Sequence, residues 1–238
     1  MSNSQNVSDE SESSQNDSHR ELLYKVLVVG DIGTGKTSFI KRYVHNIFQI
    51  HYKSTIGVDF ALKVIKWDDN TNIRLHISDI AGQERYGNMT RAYYKEAVGA
   101  FVVFDVTRHS TFDSITKWKS DIDSKVTLFG TSDPIPVVLL ANKIDLLSGE
   151  DDDNLEWEQK KKTLDNICVQ HGFEGWYETS AKDNVGIETC TTMLINALIN
   201  KVEHHPNNPN NQNNQNNSHK KSIINLVEPQ PNNKSCCF

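Results

Sequence analysis

Eight residues restrict the fold of this chain more than any others: GDIGTGKT, at positions 30–37. The order Gly30-Asp31-Ile32-Gly33-Thr34-Gly35-Lys36-Thr37 fits G-x-x-x-x-G-K-[ST], a spacing whose glycines let backbone N–H groups converge on phosphate oxygens. The apolar run YKVLVV (Tyr24–Val29) precedes the loop, and a helical pattern from Lys36 to about Val44 follows it. A loop between a strand and a helix sets bound phosphate against the positive end of the helix dipole. Lys36 adds a compact charge for the β- and γ-phosphates, and the Thr37 hydroxyl is a ligand for Mg²⁺. Asp31 through Ser38 are therefore candidate phosphate-binding residues. The alternative, an ordinary glycine turn, fits this strand–loop–helix setting poorly.

The rest of the chain extends the same kind of unit. VDFALKVIKW and NIRLHISDI alternate apolar and polar residues across the turn-forming DDNTN, the pattern of an antiparallel hairpin. GAFVVFDV and IPVVLLAN are continuous apolar runs, as strands buried on both faces require. Helical stretches near 112–129, 155–171 and 187–202 alternate with these, GWYETSA supplies a last short strand, and the acidic GEDDDNLE is a solvated loop entering a helix. Alternating β and α elements predict an α/β fold: a mainly parallel sheet with helices on both faces.

The ends differ from the body. Residues 1–20 are polar, acidic and serine-rich, with too little apolar surface to offset the entropy of ordering, and they contain no signal-peptide core. Ser2 after Met1 excludes N-myristoylation, and no run of about 18 apolar residues occurs. Residues 21–203 form one domain; 204–238 are an Asn-rich flexible tail. A formal net charge of −6 argues against nucleic acid as a partner. Cys168 and Cys190 sit far apart in helical contexts and are predicted to be core thiols, which fits a cytosolic redox setting.

Asp79, in SDIAGQE at a strand end, is placed to hold Mg²⁺ directly or through water. Asn142-Lys143-Ile144-Asp145 follows another strand and discriminates between bases. Guanine presents N1–H and an exocyclic amine as adjacent donors, and the Asp145 carboxylate accepts both. Adenine offers neither, and a site left with an unpaired buried carboxylate rejects such an analogue by about 10⁴-fold or more. Ser180-Ala181-Lys182 brings a backbone N–H to guanine O6.

With these residues in order, the chain resembles the Rab small GTPases of the Ras superfamily over about residues 22–203. TIGVDF (55–60), DIAGQERYGNMT (79–90) and the pair Tyr93-Tyr94 carry that resemblance. Ile80 and the block RYGNMTRAYYKEAVGAFVVFDV are similar to the subgroup serving lysosome-related organelles. The resemblance implies a small G domain, monomeric, with six strands of which one edge strand is antiparallel. It implies that Thr55 ligates Mg²⁺ when a γ-phosphate is present, and that Gly82 donates its N–H to that phosphate. It further implies that Gln83 orients the attacking water and that Phe48 packs on the base edge. Release of Thr55 and Gly82 after hydrolysis is the switching step. Implied partners are GTP-dependent effectors, an exchange factor, a GTPase-activating protein and an escort or GDP-dissociation-inhibitor carrier. The implied location is the cytoplasmic face of intracellular organelle membranes, with a soluble cytosolic pool.

Two residues depart from the family pattern. Ile32 stands where glycine or serine is usual, and a β-branched group there predicts slow intrinsic hydrolysis. Ser78 replaces the tryptophan of an effector-binding aromatic trio, whose other members match Phe60 and Tyr93; all three positions are read as effector surface. The terminal Cys236-Cys237-Phe238 is not a C-a-a-X signal, because Ser235 occupies the fourth place from the end. It resembles a signal for two geranylgeranyl groups, consistent with the need for a second anchor beyond one lipid chain. Two other readings remain: a nucleotide-locked scaffold, which Gln83 disfavours, and an ATP-dependent P-loop enzyme, which Asn142-Lys143-Ile144-Asp145 disfavours.

Overall fold

The computed structural model describes residues 20–51, 53–84, 90–147, 151–203 and 205. Six strands run in the chain order β1 (Arg20–Val29), β2 (Val58–Lys66), β3 (Thr71–Ile80), β4 (Gly99–Asp105), β5 (Val137–Asn142) and β6 (Gly175–Thr179). They assemble in the spatial order β2-β3-β1-β4-β5-β6, every neighbouring pair parallel except β2–β3. The helices are α1 (Lys36–His45), α2 (Thr90–Tyr94), α3 (His109–Phe112), α4 (Ile115–Lys125), α5 (Asp151–His171) and α6 (Ile187–Leu198).

The predicted α/β class and antiparallel edge hairpin agree with this sheet. β4 and β5 are buried at every position, which explains their unbroken apolar runs. α6 buries Ile187, Cys190, Thr191, Leu194, Ile195 and Leu198, one face of a helical repeat. It lies so close to β4 that a Cβ on Gly99 would come within 3.1 Å of the Leu198 side chain. Cys168 and Cys190 are buried thiols, as expected.

Several boundaries differ from the sequence reading. β1 begins at Arg20, inside the segment taken as disordered and four residues before the apolar run. Pairing of Arg20 with Thr71 and an ion pair between Arg20 and the buried Glu203 hold that polar start in the sheet. Tyr24 also donates to Glu203, at 3.0 Å, so the first strand and the last turn of the domain are tied together. α5 begins at Asp151 rather than near 155. The helix expected over 112–129 is divided into α3 and α4, and a π-turn at Ile199–Glu203 follows α6. Residues 1–19, 85–89 and 206–238, with the RYGNM part of the effector segment and both terminal cysteines, lie outside the described residues.

The strand order matters for the site. After β1 the chain builds β2 and β3 on one side, then crosses to β4 on the other. The loops leaving the carboxyl ends of β1 and its neighbours therefore diverge and leave a crevice, the usual ligand position in open α/β sheets.

Candidate nucleotide-binding site

A cavity of about 510 Å³ occupies this crevice. Its floor is the loop after β1. Gly33 and Gly35 have φ of 73° and 97°, which L side chains seldom adopt, and Gly35 caps α1 with no side chain over the helix N-terminus. The first N–H groups of α1 are thus left for a ligand. Lys36, almost fully buried, donates to the carbonyls of Gly30 and Asp31, each at 2.9 Å. Burial pulls its ammonium down to about 8, an environment that an anion would relieve. Ile32, Gly33, Thr37 and Ser38 also line the cavity, and Ile32 is 51 % exposed.

Asp31 and Thr34 act from behind that floor. The Asp31 carboxylate accepts the Trp118 indole N–H at 2.8 Å, and the fully buried Thr34 offers its carbonyl to the Asn142 amide at 2.8 Å. Asn142 is held in turn by the Thr179 hydroxyl at 3.1 Å. A Cβ on Gly35 would fall 2.4 Å from the Asn142 amide nitrogen, so the phosphate loop and the end of β5 approach as only glycine permits.

At one side of the cavity, Thr37 and Thr55 of its lining meet the Asp79 carboxylate. The Thr37 hydroxyl donates to Asp79 Oδ2 at 2.5 Å, lies 2.8 Å from the Thr55 hydroxyl, and Thr55 reaches the same Asp79 oxygen at 3.2 Å. Asp79 is buried and its Oδ1 has no partner among the described residues. Burial raises its carboxyl above the usual range. An orphaned buried carboxylate oxygen costs about 1–3 kcal/mol, and a hard cation is the natural remedy, so this oxygen set fits Mg²⁺. Gly82 packs on the floor: a Cβ there would meet the Ile32 nitrogen at 2.3 Å. Gln83 is exposed at the rim.

The opposite side is lined by Phe48, Asn142, Lys143, Asp145, Ala181 and Lys182. Asp145 is buried to its carboxylate, with Oδ1 accepting the Ser180 hydroxyl at 2.6 Å and Oδ2 lying 3.6 Å from the Lys182 ammonium. Lys143, at φ 70°, turns the chain there and donates to Asp105 Oδ2 at 2.7 Å. Phe48, Ala181 and Lys182 complete this wall.

Four supporting residues were not singled out from the sequence. Burial alone would raise the Asp105 carboxyl, but donors from Lys143 and Thr107 together hold it below the usual range. Arg108 bridges Asp105, at 3.1 Å, to the Ile32 carbonyl, at 2.8 Å. Trp118 anchors Asp31, and Arg42 grips the 181–182 loop. Only Asp105 carried a local signal, a carboxylate ending the apolar run GAFVVFDV.

The effector trio is divided. Phe60 on β2 is 69 % exposed and Tyr93 is half-buried, with its hydroxyl 3.8 Å from where a Gly57 Cβ would stand. Ser78 pairs with Phe60 across the hairpin yet is only 1 % exposed. The reading of Ser78 as effector surface is corrected: a side chain this small lies below its neighbours and presents nothing to a partner.

Comparison with known proteins agrees with this geometry. Residues 25–200 match the sequence profile of the Ras family. The chain is 61 % identical over 181 residues to the Ras-related protein Rab-32A of Dictyostelium discoideum, covering 76 % of this chain and 80 % of that one. It is 57 % identical over 188 residues to human Rab-32, covering 79 % and 80 %, and 41 % identical over 218 residues to mouse Rab-7L1, covering 92 % and 98 %. The chain therefore belongs to the Ras family, as a Rab-type small GTPase that binds and hydrolyses GTP and acts in membrane trafficking.

Proposed function

We propose that this Rab-type GTPase reads guanine through Asp145 and Ala181, holds phosphate on residues 31–38, and turns over GTP with Gln83. The observation that carries this reading is the Asp145 carboxylate, buried at the cavity wall and fixed by Ser180 and Lys182. A carboxylate immobilised in this way accepts the two adjacent donors of guanine without first losing conformational freedom. Lys36 meets the phosphate charge from below, and Gly82 offers a backbone N–H beside Ile32 when a γ-phosphate is present. Gln83 holds the water at the exposed rim. Thr37, Thr55 and Asp79 are the residues that would hold Mg²⁺. When bound, this ion neutralises charge on the β- and γ-phosphate oxygens.

Loss of the γ-phosphate releases Thr55 and Gly82, and the two segments carrying them relax. Partners that recognise the ordered form, effectors at Phe60 and Tyr93 among them, then dissociate. An exchange factor restores GTP, and a GTPase-activating protein accelerates its loss. The Rab-32 and Rab-7L1 relationships support work at lysosome-related, endosomal or phagosomal membranes. Among the described residues no helix is long and apolar enough to cross a bilayer. Geranylgeranyl groups on Cys236 and Cys237 would attach the protein to the cytoplasmic face, and a carrier would shelter them in a cytosolic GDP-bound pool.

Asp145→Asn tests the base site. An amide there donates to the xanthine O2 and no longer accepts the guanine amine, so preference should pass from GDP to xanthosine diphosphate. Retained guanine preference would refute the assignment. Serine at both 236 and 237 should move the protein from the membrane fraction to the cytosol with nucleotide affinity unchanged; unchanged pelleting would place the anchor elsewhere.

A further inference from the structure

Arg42, on the last turn of α1, makes four hydrogen bonds, two to a loop some 140 positions away and two to Asn46 at the end of its own helix. Its Nε donates to the Ala181 carbonyl at 2.7 Å and its Nη2 to the Lys182 carbonyl at 2.9 Å. Its Nη1 donates to the backbone and side-chain oxygens of Asn46, each at 3.0 Å. Asn46 ends α1 in the left-handed region, φ 56°, and opens the segment that carries Phe48.

The peptide planes on both sides of Ala181 are thereby fixed by different means. The Ser180 carbonyl accepts the Val185 N–H at 3.0 Å, and Val185 accepts the Ser180 N–H in return at 3.0 Å. In a planar trans peptide the Ala181 N–H points opposite to the Ser180 carbonyl, away from Val185. The next peptide, Ala181–Lys182, is held through its carbonyl by Arg42 Nε, and the one after that by Nη2. Without the guanidinium, the Ala181 and Lys182 carbonyls would lose these donors, and the loop would be held by the Val185 pairing, by the Ser180 hydroxyl between Asp145 and the Asp183 N–H, and by the Lys182–Asp145 ion pair. A planar fork with fixed donors suits two successive carbonyls; a lysine ammonium could serve one of them well.

We infer that Arg42 is a positioning residue for base recognition: it fixes the Ala181 backbone N–H that meets guanine O6 and ties that loop to the root of the Phe48 segment. This rests on the assignment of Ala181 and Asp145 to the base site. Arg42 itself does not line the cavity. Its effect is therefore greatest for a base that presents a strong acceptor at position 6, and small for one that does not.

The probe is 6-thioguanosine diphosphate, which keeps both donors for Asp145 and replaces O6 by sulfur, a poor hydrogen-bond acceptor. Release of GDP and of the thio analogue is followed from the full-length protein and from Arg42→Met and Arg42→Lys. In Arg42→Met, GDP release should accelerate about tenfold, as expected for a lost charge-assisted contact. Release of the thio analogue should change by clearly less, so that the ratio of the two rates narrows. Arg42→Lys should fall between wild type and Arg42→Met. The ratio compares two ligands on one protein, so a general loss of stability does not imitate it. Equal acceleration for both nucleotides, or wild-type GDP release in Arg42→Met, would overturn the inference. Asp145→Asn measured beside it reports on the base site alone. If that variant gains xanthine preference while Arg42→Met is silent, the base site stands and the role of Arg42 falls.

Discussion

Asp79 meets Thr37 through one carboxylate oxygen and leaves the other without a partner among the described residues, although 42 positions separate the two residues in sequence. A bound cation would satisfy Oδ1, and with Mg²⁺ in that role GDP release should depend on it. Chelation should accelerate release from the wild-type protein. Asp79→Asn should lower Mg²⁺ affinity about 10–100-fold, the range seen when a metal site loses a supporting group. Its release should then be fast with or without chelator. Stopped-flow release of a fluorescent GDP measures both, and full chelator sensitivity in Asp79→Asn would remove Asp79 from the cation site.

Gln83 at the rim and Ile32 on the floor are both exposed to the cavity, so their effects on hydrolysis are separable. Gln83→Leu should keep GTP affinity and slow intrinsic single turnover by on the order of tenfold or more, since an unheld water loses its orientation. Ile32→Ser should raise the intrinsic rate by relieving crowding near the γ-phosphate. A Gln83→Leu rate equal to wild type would mean that another group positions the water. An unchanged Ile32→Ser rate would show that the isoleucine is not what slows turnover.

Partner binding should follow exposure. Phe60 offers an aromatic surface and Ser78 almost none. Truncating an anchoring aromatic at an interface costs about 2 kcal/mol or more. Phe60→Ala should therefore weaken GTP-dependent partners by about 30-fold, while Ser78→Ala leaves them unaltered. Calorimetry with an effector captured on the GTP-loaded protein checks the pair. A large loss with Ser78→Ala would contradict the burial of that side chain.

Tyr43 gives the fold an alkaline limit. Burial pushes its hydroxyl from 10.0 up to about 12. The folded state then retains a proton that the unfolded chain loses, so this contribution is complete below about pH 10 and disappears as pH rises to about 12. Tyr43→Phe, which has no proton to lose, should show a shallower decline in stability over that window. Denaturant melts at stepped pH measure it, and parallel slopes for the two proteins would contradict the expected titration.

How much of this protein was readable along the chain depends on the range of the interaction. The glycine spacing in GDIGTGKT and the alternation of VDFALKVIKW act over a few residues, because φ freedom and side-chain period are local properties. They determined the phosphate loop and the antiparallel edge, while the runs NIRLHISDI and IPVVLLAN put Asp79 near the end of β3 and Asp145 just past the end of β5. Ser78 could not be read in this way, since its exposure depends on what the sheet and its surroundings place over it, and a small side chain does not rise above them.

Arg42 is a sharper case. In the sequence it is one basic residue in the last turn of a helix, where a favourable dipole interaction accounts for it fully. Its grip on Ala181 and Lys182 spans 139 and 140 positions. Nothing near Arg42 in the chain encodes that contact, which exists only after α1 and the loop following β6 have packed against the same end of the sheet. The sequence by itself determined which groups could bind a guanine nucleotide, because their chemistry and spacing are local. Only the tertiary structure decided which side chains hold those groups still, because rigidity comes from partners that folding brings together.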